Sequence, residues 1–330
     1  MLRYERISLT VLSVLILASS VFFGSTLVAA ESEPYLYVLG VAQDAGYPQA
    51  GCYEPHCMPG WEQAELKRTA TALALVDPQL NRHYLFEATP NLPEQLYELQ
   101  KEVPLSRGGL DGVFLTHAHI GHYAGLMYFG REAMNANAVS VYVMPRMADF
   151  LRTNGPWSQL VGIGNIELRQ LTPDLPIDLS IALPSALASA SESSLSVTPL
   201  LVPHRDEYSE TVGFRIQGPS RTALFIPDIN KWKDWNQDIV ELVRGVDYAL
   251  LDATFFADGE LGNRDMSQIP HPFAAETMAL FAGLPAAERA KIWFIHFNHT
   301  NPLLNLDSPE SQSVLDAGYH IAHEGVKLPL

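Results

Sequence analysis

The sequence is poor in cysteine and in basic residues, and after its first 30 residues it has no long hydrophobic run. Its 330 residues include two cysteines, which excludes a fold held together mainly by disulfides. It has 21 basic and 37 acidic residues, a formal charge of −16. Such a surface repels nucleic-acid phosphates, so no nucleic-acid substrate is expected. With 47% hydrophobic and 18% charged residues, the chain is predicted to be globular and to act on a small molecule.

The N-terminus has the three-part pattern of a secretory signal peptide. Arg3 and Arg6 precede an apolar run over residues 7–23, and Val28-Ala29-Ala30 supplies the small residues of a cleavage site. An uncleaved anchor is the alternative, but the run is short for a span of about 20 residues. We therefore expect cleavage after residue 30, a single mature domain over residues 31–330, a periplasmic or secreted protein, and no stable membrane insertion.

The two cysteines, Cys52 and Cys57, lie five residues apart with His56 between them. In an oxidising compartment they could form a short disulfide loop. They could instead bind a small structural metal ion, with His56 as a further ligand. The residues alone leave both interpretations open.

Short β-type runs alternate with helical segments along the mature chain. Strands are expected at residues 35–39, 71–76, 83–86, 112–115, 139–144, 196–202, 211–216, 222–226, 248–251 and 291–295. Helices are expected at 92–103 (after an Asn91 cap), at 123–134, after 145, and at 273–281, with a loop at 185–194. This order predicts an α/β protein, a sandwich of two mixed sheets flanked by helices.

Three of the eleven histidines fall within six residues, directly after the expected strand at 112–115. They are His117, His119 and His122 in His-Ala-His-Ile-Gly-His. In an extended segment, residues two apart point the same way, so His117 and His119 can share one metal ion. Further polar residues follow other apolar strands, namely His204, Asp228, Asp252, His296 and His299. Rigid strand ends are common positions for reactive groups.

These segments resemble the metallo-β-lactamase superfamily and, within it, the coenzyme PQQ synthesis protein B branch and its exported relatives. The likeness rests on residues 39–48, 116–125, 202–207, 226–228 and 295–302. The resemblance implies an αββα sandwich with a metal site at one edge of both sheets. It implies a first metal site from His117, His119 and His204 and a second from His122 and His296, bridged by Asp228. His296 is preferred to His299 because it directly follows its strand.

One residue departs from the superfamily pattern His-x-His-x-Asp-His, because Gly121 stands in place of the aspartate. The resemblance therefore implies a weakened second site, with either one bound ion or a second ion supported by His299. Zinc is preferred, with iron or manganese as alternatives. On this reasoning, an aspartate introduced at Gly121 is expected to raise the affinity for a second ion. The alternative is that Gly121 leaves room for substrate or a different metal, in which case the new side chain would block the pocket.

The expected function is a metal-dependent hydrolase acting on an ester, amide, lactone or phosphoester through a metal-activated water. Asp228 would orient the water, and His296 or His299 would protonate the leaving group. Asp252 could hold a ligand imidazole or simply cap its strand. His271 could line the pocket but is more often a surface histidine in such a position. Asp44, after the first strand, is a candidate substrate contact.

Two other classes of function compete with hydrolysis. One is an iron-dependent oxygenase, since histidines with Asp228 could form an iron site with open positions. The other is a cofactor-biosynthesis or carrier protein of the PQQ synthesis protein B type. Iron content with oxygen-dependent turnover would favour the first, whereas a retained metal without any hydrolysis product would favour the second.

Overall fold

Two seven-stranded sheets packed face to face form the protein, as seen in a computed structural model. The structure describes residues 33–105, 109–179, 195–262 and 264–330, all within one compact unit, Ser32–Leu330. The expected signal peptide and the loop expected at 185–194 lie outside the described residues. Among the described helices, none is long and apolar enough to cross a membrane.

The first sheet contains the N-terminal strands and the last one. Its strands are β1 (Tyr35–Gly40), β2 (Ala72–Asp77), β3 (Arg82–Phe86), β4 (Gly112–Phe114), β5 (Val139–Val143), β6 (Ile166–Gln170) and β14 (Lys327–Pro329). They lie in the order β14-β1-β2-β3-β4-β5-β6. Pairs from β14 to β3 are antiparallel, whereas pairs from β3 to β6 are parallel.

The second sheet contains the strands of the C-terminal half. They are β7 (Ile177–Asp178), β8 (Ser196–Leu201), β9 (Val212–Gln217), β10 (Thr222–Ile226), β11 (Tyr248–Asp252), β12 (Ile292–Ile295) and β13 (His320–Ile321). The order is β13-β12-β11-β10-β9-β8-β7, with parallel pairs from β10 to β13. The antiparallel β9–β10 pair confirms the expected hairpin.

The described residues form nine α-helices, six of which pack on the outer faces of the two sheets. They are α1 (Met58–Glu62), α2 (Leu92–Glu102), α3 (Ile120–Tyr123), α4 (Pro145–Thr153), α5 (Trp157–Gly162), α6 (Ile239–Arg244), α7 (Ala274–Phe281), α8 (Ala286–Arg289) and α9 (Pro309–Asp316). Apolar residues of α2, α4 and α5 pack on the first sheet, and those of α6, α7 and α9 pack on the second. The expected αββα sandwich is confirmed.

Aromatic side chains join the two sheets in the central layer. Phe86 of β3 stacks on Phe114 with ring centroids 5.1 Å apart, and it meets Phe214 and Phe225 of the second sheet at 5.4 and 6.0 Å. All four rings are fully buried. Since burying such a side chain contributes about 1.5–3 kcal/mol, this cluster fixes the sheets against each other. The strand ends that carry the polar residues are thereby held in register.

The prediction of an α-helix at 123–134 is wrong in both the type and the length of the helix. The chain instead forms the four-residue α3 and a 3₁₀ helix, Ala124–Phe129. Gly125 explains the difference, because its N–H donates to Ala88 O at 2.8 Å and a Cβ there would lie 2.1 Å from Thr89 O. The segment is bound to the neighbouring loop rather than free to continue as an α-helix. Asn91 does not cap α2 with its side chain, and its Oδ1 accepts from Ala70 N instead.

Candidate metal centre

Polar residues from both sheets meet at one edge of the sandwich. Each follows or ends a buried strand, and parallel strands bring their carboxyl ends to the same edge. They are Glu87 after β3, His117 after β4, His204 after β8, Asp228 after β10, Asp252 at the end of β11, and His296 after β12. All six are buried. The six residues expected as metal ligands are among or beside them, although their role as ligands stays a prediction.

His117, His119, His204 and Asp228 form a first cluster. The Nδ1 atom of His119 lies 2.8 Å from His117 Nε2 and 3.2 Å from His204 Nε2. Asp228 Oδ2 lies 3.4 Å from His117 Nε2 and 3.3 Å from His204 Nε2. A tetrahedral zinc ion with ligands at about 2.0–2.1 Å separates its donor atoms by about 3.3 Å. The first cluster therefore has the donor types and separations of a divalent metal site.

The histidines of the first cluster are held in a metal-accepting state. Burial lowers the pKa of His204 to about 4, and burial and the neighbouring His122 hold the pKa of His117 well below its usual value. Neutral imidazole is the form that binds metal ions. The Nε2 atom of His119 contacts Glu207 at 3.0 Å, which directs its Nδ1 to the cluster.

His122, His296 and Asp44 form a second cluster beside the first. Their candidate donor atoms lie within 4.8 Å of one another, and His122 Nε2 is 3.7 Å from Asp228 Oδ2. Within the described part of the chain, the buried Nε2 atoms of His122 and His296 have no hydrogen-bond partner. Buried polar atoms normally have a hydrogen-bond partner, so these two unpartnered nitrogens in one cluster fit a site for a divalent cation.

Glu87 orients His117 and also lies beside His122, and it was not predicted from the sequence. The Thr116 hydroxyl donates to Glu87 Oε1 at 2.5 Å and lies 2.8 Å from His117 Nδ1. His117 must therefore donate from Nδ1 and present its Nε2 lone pair to the cluster. Glu87 Oε1 also lies 3.2 Å from His122 Nδ1. An acidic residue directly after an apolar strand was the available signal, and its φ of 78° marks a constrained backbone.

Asp252 plays the equivalent part in the second sheet, so it is more than a strand-end cap. The Thr254 hydroxyl donates to Asp252 Oδ1 at 2.7 Å and lies 2.9 Å from His296 Nδ1. His296 thus donates from Nδ1 and presents Nε2 to the second cluster. The other oxygen, Asp252 Oδ2, accepts from His271 Nδ1 at 2.9 Å.

The expectation of a surface position for His271 is wrong. Its side chain is buried, and Nδ1 lies between Asp252 and Asp228 Oδ1, which is 3.3 Å away. Burial alone would lower the pKa of His271, but Asp252 and Asp228 raise it to about 9. Burial alone would raise the pKa of Asp228, yet His271, His204 and other histidines hold it well below its usual value. Sequence periodicity could not predict the burial of His271, because the residue lies between two prolines outside any strand or helix.

His299 lies outside both histidine clusters. Its ring centroid is 5.4 Å from that of His56, beside the cysteines, whereas His296 faces His122 at 5.3 Å. The preference for His296 as the candidate ligand agrees with this geometry. Cys52 and Cys57 form a disulfide, so the sulfur atoms are bonded to each other rather than free to bind a metal ion.

The expectation for Gly121→Asp is wrong on steric grounds. A Cβ atom on Gly121 would lie 2.3 Å from Asp44 Cα and 2.8 Å from Asp44 O. Real Cβ contacts are much longer, so the loop after β1 leaves no space for any side chain at this position. Gly121 is therefore required by the close approach of a neighbouring backbone.

A cleft of about 530 Å³ opens beside the clusters. Its wall includes Asp44, Arg205, Arg264, His271 and His299. Two arginines give this cleft a cationic side in a strongly acidic protein. An anionic group on a bound molecule would find its countercharge there.

Comparisons with known proteins agree with this geometry. The beta-lactamase superfamily domain matches residues 82–297. The chain is 27% identical over 316 residues to the coenzyme PQQ synthesis protein B of Xanthomonas oryzae pv. oryzae, covering 89% of this chain and 99% of the relative. The corresponding protein of Methylobacillus flagellatus is 26% identical over 318 residues, covering 90% of this chain and 100% of the relative.

Solved structures show the same fold. Zinc-bound PqqB from Methylobacterium extorquens superimposes with a TM-score of 0.71 at 23% identity, covering 90% of this chain and all of that one. A diphosphatase of the PhnP family gives a TM-score of 0.61 at 20% identity, covering 90% of this chain and 97% of that one. The superfamily match spans most of the sandwich and every candidate ligand except Asp44. The chain therefore belongs to the beta-lactamase superfamily and has the metallo-β-lactamase fold.

Proposed function

We propose that this protein is a metal-dependent hydrolase of a small anionic molecule, acting on an ester, amide, lactone or phosphoester bond. The observation that carries the proposal is the first cluster, in which three histidines and Asp228 converge at metal-ligand separations. Two buried carboxylates, Glu87 and Asp252, orient the ligand imidazoles, as is usual for metal sites. Zinc suits this donor set best, with iron or manganese as alternatives.

A divalent ion held by His117, His119, His204 and Asp228 would supply a Lewis acid that makes water a nucleophile near pH 7. Asp228, whose Oδ1 lies 3.3 Å from His271 Nδ1, is shared by both clusters as a carboxylate and would orient the reacting water. We assign protonation of the leaving group to His271 rather than to His296. His296 has Nδ1 engaged by Thr254 and Nε2 in the second cluster, which leaves no nitrogen for proton transfer.

His271 has the properties of a proton donor for a bound substrate. Asp252 accepts from its Nδ1, and the imidazole lines the cleft, so Nε2 is the nitrogen available to a substrate. The neighbouring carboxylates favour the protonated imidazolium, which is the acid form. His299 borders the same cleft from the side of the disulfide and could contact the substrate there.

The cleft also suggests which substrates to test. Arg205 and Arg264 lie on its wall and would bind a carboxylate or phosphate group. The overall charge of −16 repels a polyanion, so we expect a small anionic ester or phosphodiester rather than RNA or DNA. An Arg264→Gln variant should raise KM for an anionic ester by more than for a neutral ester of the same size.

The resemblance to the PQQ synthesis protein B relatives supports a second candidate function. The chain covers nearly all of these proteins at 27% identity, so a part in cofactor synthesis is the alternative. Oxidative chemistry would need iron, which histidines with Asp228 can also bind. Metal analysis of protein purified without added metal separates the two. Zinc with hydrolysis of anionic esters supports the proposal, whereas iron with oxygen consumption and no hydrolysis contradicts it.

The sharpest test of the hydrolase mechanism is His271→Asn. Loss of a general acid typically lowers kcat by about 10²–10⁴-fold, and bound metal should remain unchanged. His320→Asn is the matched control, because His320 stacks on Trp293 at 4.3 Å and belongs neither to a candidate ligand cluster nor to the wall of the cleft. Equal kcat values for the two variants would remove His271 from the mechanism. A His119→Ala variant that keeps its full metal content would contradict the first site itself.

We also propose that the protein acts outside the cytoplasm. The pattern of the first 30 residues supports this, and so does the Cys52–Cys57 disulfide, since disulfides persist in oxidising compartments. N-terminal sequencing of the exported protein should begin at Glu31. Full-length protein starting at Met1 in a membrane fraction would contradict cleavage.

A further inference from the structure

The loop after β1 occupies the space that a motif aspartate would need. A Cβ atom on Gly121 would overlap the Cα and carbonyl oxygen of Asp44, and it would lie 2.8 Å from Asp44 Oδ1. Asp44 and the missing side chain thus compete for one position. The superfamily pattern has a carboxylate on the residue at position 121. Here the carboxylate of Asp44, in the loop after β1, lies at the same place.

This loop is held firmly in place. Gln43 N donates to Phe297 O at 2.8 Å, directly after the candidate ligand His296, and Tyr47 N donates to Arg68 O at 2.8 Å. Asp44 itself has a φ of 44°, in the left-handed region that aspartate and asparagine tolerate better than most residues. The backbone therefore fixes where the Asp44 carboxylate lies relative to His296.

The carboxylate faces two buried imidazoles. Asp44 Oδ1 lies 4.0 Å from His122 Nε2 and shares a 4.8 Å cluster with His122 and His296. The side chain of Asp44 is 48% exposed, and exposed carboxylates commonly bind nothing. The histidines make the difference, because the structure shows no hydrogen-bond partner for either Nε2 among the residues that it describes, and both side chains are almost fully buried.

We propose that Asp44 is a ligand of a second divalent metal ion, together with His122, His296 and the shared Asp228. Asp44 takes the place of the carboxylate that Gly121 does not supply. This inference rests on the proposed function, since Asp228 is shared with the first site. The consequence is a centre that binds two ions, with a second affinity higher than the absence of a carboxylate on Gly121 would imply. Two imidazoles and two carboxylates suit zinc, manganese or iron.

The test is a zinc titration of chelator-treated, full-length mature protein, followed by calorimetry and by equilibrium dialysis with metal analysis. Wild type should bind two equivalents. Asp44→Asn keeps the size and the left-handed backbone but removes the charge, and Asp44→Gly removes the ligand entirely. Because loss of even an outer-shell partner costs about 10–100-fold in metal affinity, the second equivalent should weaken by at least tenfold in both variants. The first should keep its affinity.

Asp174→Asn is the matched control. Asp174 is an exposed aspartate with a φ of 60° in a loop that contributes no candidate ligand, so the same substitution there should leave both equivalents unchanged. His119→Ala should remove the first equivalent, and its failure to do so would contradict the proposed function instead. One equivalent in wild type, or two unweakened equivalents in both Asp44 variants, would overturn the role of Asp44.

Discussion

Gly121→Ala should destabilise the protein strongly, although it adds a single methyl group in a helix. The new Cβ would lie 2.3 Å from Asp44 Cα and 2.8 Å from Asp44 O, whereas carbon atoms in contact normally lie about 3.5–4.0 Å apart. The overlap therefore exceeds 1 Å against backbone atoms, which cannot rotate away. Hydrogen bonds from Gln43 N to Phe297 O and from Tyr47 N to Arg68 O resist a shift of the loop.

The magnitude follows from this geometry. Overpacking a protein interior typically costs about 1–3 kcal/mol, and immobile backbone places this case at or above the upper end, at about 3 kcal/mol. For a chain of this size, that corresponds to a loss of about 5 °C in Tm. Replacement of glycine by alanine in a helix without such an overlap instead stabilises by up to about 1 kcal/mol.

Urea unfolding of the metal-free protein measures the effect, with Gly162→Ala as the control. Gly162 is the last residue of α5, and no atom lies within 4 Å of its Cβ position. We expect a lower midpoint for Gly121→Ala and an equal or higher midpoint for Gly162→Ala. Adding Asp44→Gly to Gly121→Ala should not restore stability, because the Cα and carbonyl oxygen of residue 44 remain. A Gly121→Ala variant as stable as wild type, or rescue by Asp44→Gly, would refute the reasoning.

Three further predictions concern stability and metal binding. Burial raises the pKa of Glu260 to about 7, so the free energy of unfolding should fall as pH rises from 4.5 to 7. Urea titrations at pH 5 and 7.5 should show a smaller fall for Glu260→Gln than for wild type. An equal fall in the two proteins would contradict this prediction. Thr254→Val removes the hydroxyl between Asp252 and the candidate ligand His296, and should lower zinc affinity by about 10–100-fold in calorimetry. The control Thr277→Val removes a hydroxyl that Trp232 contacts, and should leave zinc affinity unchanged. Phe86→Ala should lower the free energy of unfolding by about 3–5 kcal/mol, because Phe86 is fully buried between the sheets. Tyr97→Ala, at an exposed position, should change it by no more than about 0.5 kcal/mol. Equal unfolding midpoints for the two variants would contradict the packing argument.

The sequence determined the elements of the sandwich because their patterns are local. Alternating and continuous apolar runs predicted β1, β2, β3, β5 and the hairpin of β9 and β10 to within a residue or two at each end. The helix after Asn91 followed from its apolar spacing in the same way. Short or irregular pieces escaped, among them β6 and the 3₁₀ helix at Ala124–Phe129, because tertiary contacts rather than periodicity fix their backbone.

The histidine motif and the polar strand ends were also visible in the sequence, since each follows a recognisable strand. The tertiary structure decided which of them meet. Glu87 reaches His117 through the Thr116 hydroxyl. His271, between two prolines, contacts both Asp252 at the end of β11 and Asp228 after β10. These contacts depend on which strands become neighbours within each sheet and on the path of the loop that carries His271, and no local pattern encodes either.

Gly121 shows most clearly what the sequence alone could not give. The sequence motif indicated that the carboxylate ligand at position 121 is absent, because a motif covers only one segment of the chain. The structure replaces that absence with a carboxylate from residue 44, which lies 77 residues earlier in the chain and against Gly121 in space. A metal site is defined by where donor atoms converge, and packing of the β1 loop against α3 sets that convergence.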